Sequence, residues 1–463
     1  MNVFSIFSSL RNPIFARLYT AQTTSLLGDA LTWVGLALLA FDLAGKNSAI
    51  VLSLALTLRV SAFVLLSPLA GAIADRFDRK PILVATHLVR MVIVSLLPFV
   101  TEVWQVYVLI FALNTFNAFF TPTYQATIPL VTGQNDYPQA IALSSATFQL
   151  LGVLGPGIAG SVAALIGARQ VFFLDALTFL IAAGLIFTLP DRLRASSQLS
   201  SQTKGRTWRD IKDGTTRLLT DVPIRYALFM QLVASIAGAQ ILVNTVNYVQ
   251  GTLKLGNVQY GWVMAAFGVG ATLSAVVVGS ANRRLPRTTF VLCGAILVTL
   301  ALLPANFSNL ALLIVLWLLA GAGQNCVNLP TQTLIADRIS ADAQGRVYGA
   351  HFAWSHLWWG ISYPLAGWLG SYFSDREFLY GSLVGLTVLI AVQLALSPQG
   401  RDREHIHVHK SFWHEHEHVH DEHHQHEHVR ETLARKPHNH FHKHETMRHS
   451  HPYQSDLHHH HSH

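Results

Sequence analysis

Apolar stretches of about 20 residues recur twelve times, at roughly 14–41, 48–73, 81–101, 104–130, 138–166, 168–189, 223–250, 257–281, 288–306, 308–335, 346–373 and 376–397. A helix of that length crosses a bilayer core of roughly 30 Å. Lipid offers no partner to a backbone N–H or C=O, so such stretches must be helical. With 51% hydrophobic and 12% charged residues, the chain is excluded from the ordinary soluble enzymes. The N-terminal residues show no separate cationic, apolar and cleavage regions, so no cleaved signal is expected. Cys293 and Cys326 both fall inside apolar stretches and imply neither a disulfide framework nor a thiolate zinc site.

Cations separate the loops into two sets. One set carries Arg11, Arg17, Arg76, Arg79, Lys80, seven Lys/Arg between Arg192 and Arg217, Arg283, Arg284, Arg287, Arg338, Arg346, Arg401, Arg403 and Lys410; the other carries only Lys46, Arg169, Lys254 and Arg376. The positive-inside rule then puts both termini in the cytoplasm. The net charge of +7 is a topology signal, and it calls for no nucleic-acid partner.

The two halves align without a gap at an offset of 208, which sets Arg17 on Arg225, Gly71 on Gly279, Arg79 on Arg287, Asn117 on Asn325, Pro122 on Pro330 and Pro156 on Pro364. The expected fold is all-α: twelve transmembrane helices as two six-helix bundles related by a pseudo-two-fold axis along the membrane normal. Expected boundaries are 1–190 and 223–397 for the bundles, 191–222 for a linker and 398–463 for a disordered, histidine-rich tail.

Between the second and third stretches the chain reads Gly71-Ala-Ile-Ala-Asp75-Arg76-Phe-Asp78-Arg79-Lys80. This resembles the G-x-x-x-D-R-x-x-R-K loop of the major facilitator superfamily at every fixed position. The resemblance implies that the loop latches the two halves in one state of a transport cycle. The second-half copy, Gly279 to Arg287, lacks the acid. In the fifth stretch, Gly152-Val-Leu-Gly155-Pro156-Gly157-Ile-Ala-Gly160 is similar to the glycine-proline motif of the superfamily's antiporters, with Leu151 and Ala159 departing from it. Small residues there permit close helix packing, and export is the function implied.

Twenty-two of the 25 histidines lie after residue 404; the other three are His87, His351 and His356. They alternate with other residues in four runs: His405, His407 and His409; His414, His416, His418 and His420; His424, His426 and His428, preceded by His423; and His438, His440, His442 and His444. Imidazole nitrogens without cysteine suit Ni, Co, Zn or Cu(II) better than Cu(I). With this tail the whole chain resembles the nickel-resistance permeases of the superfamily, which implies expulsion of nickel, sometimes cobalt. The tail is expected to capture metal; storage or sensing apart from transport is the competing role.

Within the spans, Asp29 and Arg59 lie at similar depth on consecutive helices, and an ion pair between them is expected, available for proton exchange. Arg90 and Asp175 read better as packing charges. The second half offers Asn325, His351 and His356; five residues of separation sets the two histidines about 140° apart on a helix, poorly placed as co-ligands. Asn117 and Asn325, as repeat mates, are expected to face a central cavity. No G-x-x-x-x-G-K-[ST] loop occurs, so an ion gradient rather than ATP should drive transport. The resulting expectation is proton-coupled export of a divalent metal, nickel first and cobalt second, in a bilayer and without a resident cofactor. Export of a drug, siderophore or other organic solute, and a membrane-anchored metal buffer or sensor, are the alternatives.

Overall fold

A computed structural model describes residues 9–190, 207–281 and 286–397, and in the tail 405–409, 413–418, 438–443 and 447–451. The chain divides into two units, Met1–Leu396 and Ser397–His463. In the first, α1 (Pro13–Ala44), α2 (Ser48–Arg76), α3 (Arg79–Leu96), α4 (Val103–Ile166) and α5 (Val171–Phe187) build one half. A short amphipathic helix, α6 (Thr207–Thr220), precedes α7 (Val222–Val246), α8 (Asn257–Ala281), α9 (Arg287–Leu302), α10 (Leu310–Arg338), α11 (Ala341–Tyr372) and α12 (Glu377–Leu396). Helix starts follow local chemistry. The Asn12 carboxamide accepts from Ile14 N and Phe15 N ahead of Pro13, and Asp221 accepts from Ile224 N ahead of Pro223.

Most of the long helices have no distinct apolar stripe because they are apolar all round, as expected of helices solvated by lipid. Leu65, Trp104, Phe187, Val276 and Leu394 are exposed large side chains that such a face accounts for.

The expected loop between the fourth and fifth spans is not a break in helix. Backbone helix runs through all 64 residues of α4. A straight helix of that length would extend roughly 96 Å at 1.5 Å per residue. Yet Arg169, just past its end, donates from Nη1 to Pro98 O at 2.9 Å and Val100 O at 2.8 Å, just before its start. The helix therefore doubles back. Asn12 meets Val131 O at 2.6 Å and Tyr19 meets Thr147 at 2.5 Å, so the second limb climbs back along α1. The two crossings stand; the turn between them stays helical.

The repeat is visible in hydrogen bonds. Arg79 donates from Nη1 to Ala126 O at 2.7 Å, and its mate Arg287 donates to Thr333 O at 2.6 Å while pairing with Asp337. Arg17 and Arg225, another mated pair, both donate to carbonyls, of Thr188 and Leu219.

The halves meet closely toward the end remote from the N-terminus. Gly157 lies against Ala265 and Gly160 against Gly261, backbone to backbone. From α2, Ala49 and Ser53 lie against Gly370 and Gly367 of α11. Side chains could not separate these helices without loss of dispersion contact.

In the second unit, four short strands occupy segments where no regular structure is expected: β1 (His405–His409), β2 (Trp413–His418), β3 (His438–Lys443) and β4 (Met447–His451). They form two antiparallel pairs, β1 with β4 and β2 with β3. Alternation of histidine with Ile, Val, Glu or Phe is the period-two pattern that a strand pair accepts.

Candidate functional site

Two carboxylates and one guanidinium converge inside the first half. Arg90 on α3 donates from Nη2 to Asp29 Oδ1 on α1 at 2.8 Å, and its side chain is only 1% exposed. Asp175 on α5 is fully buried and accepts from the hydroxyls of Thr32 and Thr178. The Arg90 guanidinium lies 4.1 Å from the Phe179 ring centroid and 5.5 Å from that of Phe120. His87, one turn before Arg90, is buried against the same two rings, and neither ring nitrogen has a partner among the described residues.

This corrects the expected Asp29–Arg59 pair. Asp29 is held by Arg90, so Arg90 is its ion-pair partner rather than a packing charge. Arg59 instead lies over the Trp33 indole, 4.2 Å from its centroid. Depth along consecutive helices cannot tell which neighbour a side chain faces; α1 touches α2, α4 and α5 as well. A signal was nonetheless present. The tetrapeptide Asp-Ala-Leu-Thr occurs twice, at 29–32 and 175–178, and spacing three puts acid and hydroxyl on one helix face.

The second half has a neutral polar network. His351 Nε2 and Gln231 Oε1 lie 2.8 Å apart, and Gln231 Nε2 donates to Asn328 Oδ1 at 3.3 Å. His356 is separate, with Nδ1 2.8 Å from Phe352 O, so the two histidines are not brought together on one ion. Asn325 donates to Ser274 on α8 at 3.2 Å, whereas Asn117 makes no side-chain hydrogen bond among the described residues. Trp358 packs inside, donating from its indole to Leu228 O at 3.0 Å.

At the Asp-Arg loop, α2 extends through Gly71, Asp75 and Arg76, whose side chains lie outside the described residues. Asp78 caps α3, and Lys80 Nζ donates to Leu189 O at 2.6 Å. Lys80 thus binds a carbonyl just past the end of α5, where the helix dipole favours a cation, while Arg79 binds a carbonyl within α4 short of its turn. Gly155 lies against Ala30, where an added Cβ would come within 2.6 Å of the Ala30 Cβ, and Pro156 follows it toward the seam with α8.

Among the described residues no three His, Cys, Asp or Glu side chains converge to hold a metal ion. In the tail, His405 and His407 stand opposite His451 and His449, while His414, His416 and His418 stand opposite His442, His440 and His438. His409 stands opposite Met447. His420, His423, His424, His426, His428 and His444 lie outside the described residues.

Comparison with known proteins agrees with this architecture. The family model described as transmembrane secretion effector, of the major facilitator type, matches residues 4–352. The chain belongs to that family. The chain is 29% identical over 348 residues to the uncharacterised transporter YfiS of Bacillus subtilis, covering 72% of this chain and 81% of that one. It is 25% identical to macrolide efflux protein A of Streptococcus pyogenes over 36% of its own length and 42% of the relative's. Multidrug resistance protein MdtG of Citrobacter koseri is 25% identical over 65% and 73% of the two chains. Among solved structures, the nucleoside transporter NupG superposes with a TM-score of 0.66 at 14% identity, covering 82% of this chain and 99% of that one. A bacterial Spinster homologue in an inward-facing, unoccupied conformation superposes at 0.64 and 12%, covering 84% and 95%. The protein is therefore a multi-pass membrane transporter of the major facilitator type with bacterial relatives, and these distant structures establish its fold alone.

Proposed function

We propose that this protein exports a divalent transition metal, nickel first and cobalt second, in exchange for protons across the cytoplasmic membrane. The observation that carries the metal is the register of the tail. Five histidines of β1 and β2 stand directly opposite five of β3 and β4. Opposed residues of an antiparallel pair have Cβ atoms about 4.5–5.5 Å apart, the scale on which two imidazoles share one ion. The loop cations support a cytoplasmic tail, where it gathers metal for the transporter.

The proton is assigned to the Asp29–Arg90–Asp175 cluster. One guanidinium cannot neutralise two carboxylates, and an uncompensated charge is costly inside a bilayer. A proton held there restores neutrality and can leave when the bundle moves.

Ending the chain before Pro398 should raise the nickel concentration for half-maximal uptake into everted vesicles roughly tenfold, since raised local concentration is lost. The maximal rate should hold. Unchanged half-saturation would remove the delivery role and leave storage or sensing. A second reading, export of an organic solute, has its own support: no ligand cluster among the described helical residues, and relatives named for macrolide and multidrug resistance. Uptake of nickel, cobalt, zinc and a macrolide by the same vesicles separates the two.

A further inference from the structure

The proton cluster leaves Arg59 unused. It lies on α2 at the seam between the halves. Its neighbour Val60 lies against Gly360 of α11, and Phe63 lies 6.1 Å, ring to ring, from His356. Trp33 of α1 forms a platform under the guanidinium, and His356 and Tyr363 of α11 lie within reach of its charge. Residue 59 is only half-buried, and none of its nitrogens is sealed from solvent. Among the described residues it has neither a hydrogen bond nor an ion pair. The acid four residues before Trp33, Asp29, is already held by Arg90.

A guanidinium at this depth without an anion is costly unless the site is built to receive one. Stacking on an indole occupies the face of the guanidinium and leaves its N–H edges free. Those edges match a carboxylate bidentately. The same charge repels a bare dication in a medium of low dielectric constant. No three His, Cys, Asp or Glu side chains converge among the described residues to replace the ion's lost water, whereas a chelator brings its own donors. His356, whose Nδ1 donates to the Phe352 carbonyl, presents Nε2 as an acceptor for a hydroxyl of such a ligand.

We infer that the seam at Arg59 binds the carboxylate of an anionic organic ligand, and that exported metal passes it as an anionic carboxylate chelate. The second clause rests on the metal-export reading; the first does not.

The test uses everted vesicles carrying the full chain, supplied with radiolabelled nickel as the aquo ion, as its anionic citrate complex or as its neutral bis-histidine complex, and separately with labelled citrate alone. The citrate complex should accumulate about tenfold faster than either other form, as expected for one charge-assisted bidentate contact. Arg59→Gln should erase that preference, and Arg59→Lys, which keeps charge without the fork, should retain part of it. Thermal midpoints of both purified variants, matched to the parent, exclude misfolding. Equal transport of all three nickel forms, or an Arg59→Gln protein that still prefers the citrate complex, would overturn the site while leaving metal export intact. Arg59-dependent movement of citrate with no nickel in any form would uphold the site and end the metal-export reading.

Discussion

Arg90→Leu is expected to destabilise the helical unit by about 3 kcal/mol, the lower end for removing one member of a buried pair because Asp29 is partly exposed. The substitution leaves Asp29 and Asp175 facing each other with no cation between them. Asp29→Asn should cost clearly less, since Arg90 still has Asp175 near enough to share its charge. That order, base worse than acid, is specific to two carboxylates around one guanidinium; an isolated pair predicts similar losses. The double variant Arg90→Leu/Asp29→Asn should recover most of the thermal midpoint but not proton-coupled transport. Midpoints of the three purified proteins, read by intrinsic fluorescence, check the prediction. An Arg90→Leu protein as stable as the parent would show that the cluster carries no structural load.

The second large effect concerns motion. Gly160 meets the backbone of Gly261 across the seam, so any side chain there must push α4 from α8. Gly160→Leu is expected to cost the closed arrangement roughly 1–3 kcal/mol of overpacking. Each 1.4 kcal/mol is about tenfold in an equilibrium, so transport should fall by about tenfold or more while the protein stays folded. Gly152, in the same glycine-proline segment, faces open space, and an added Cβ would meet nothing within 4 Å. Gly152→Ala should therefore transport like the parent. Comparable losses at both positions would mean that helix flexibility, not close approach, is what the glycines supply.

Span count and family were legible because both rest on local rules. Twenty apolar residues dictate a lipid-solvated helix, and the loop from Gly71 to Lys80 matches a fixed pattern. The offset of 208 also foretold that Arg79 and Arg287 do equivalent work at the ends of equivalent helices. Side-chain partners were less legible. Asp29 could be placed at a depth but not on a face toward α3, because helices apolar all round carry no periodicity that marks their inner side. The doubled Asp-Ala-Leu-Thr would have linked α1 to α5. The helical turn within α4 was hidden for another reason: the run Thr132 to Tyr137, with Gly133, Asn135 and Asp136 and with Pro138 after it, reads as a loop by propensity, which tertiary packing of the two limbs overrides. In the tail, composition reads as disorder, and period two among the histidines, which brings alternate side chains to one side of an extended chain, does not say which segment pairs with which.

Purified protein reconstituted alone into sealed liposomes, with radiolabelled nickel outside, a carboxylate chelator present and an imposed proton gradient, tests the central claim most directly. The account predicts nickel accumulation that a protonophore abolishes and that Asp29→Asn impairs. Liposomes that concentrate a macrolide or another organic compound under the same gradient, while nickel and cobalt remain at their starting distribution, would contradict it.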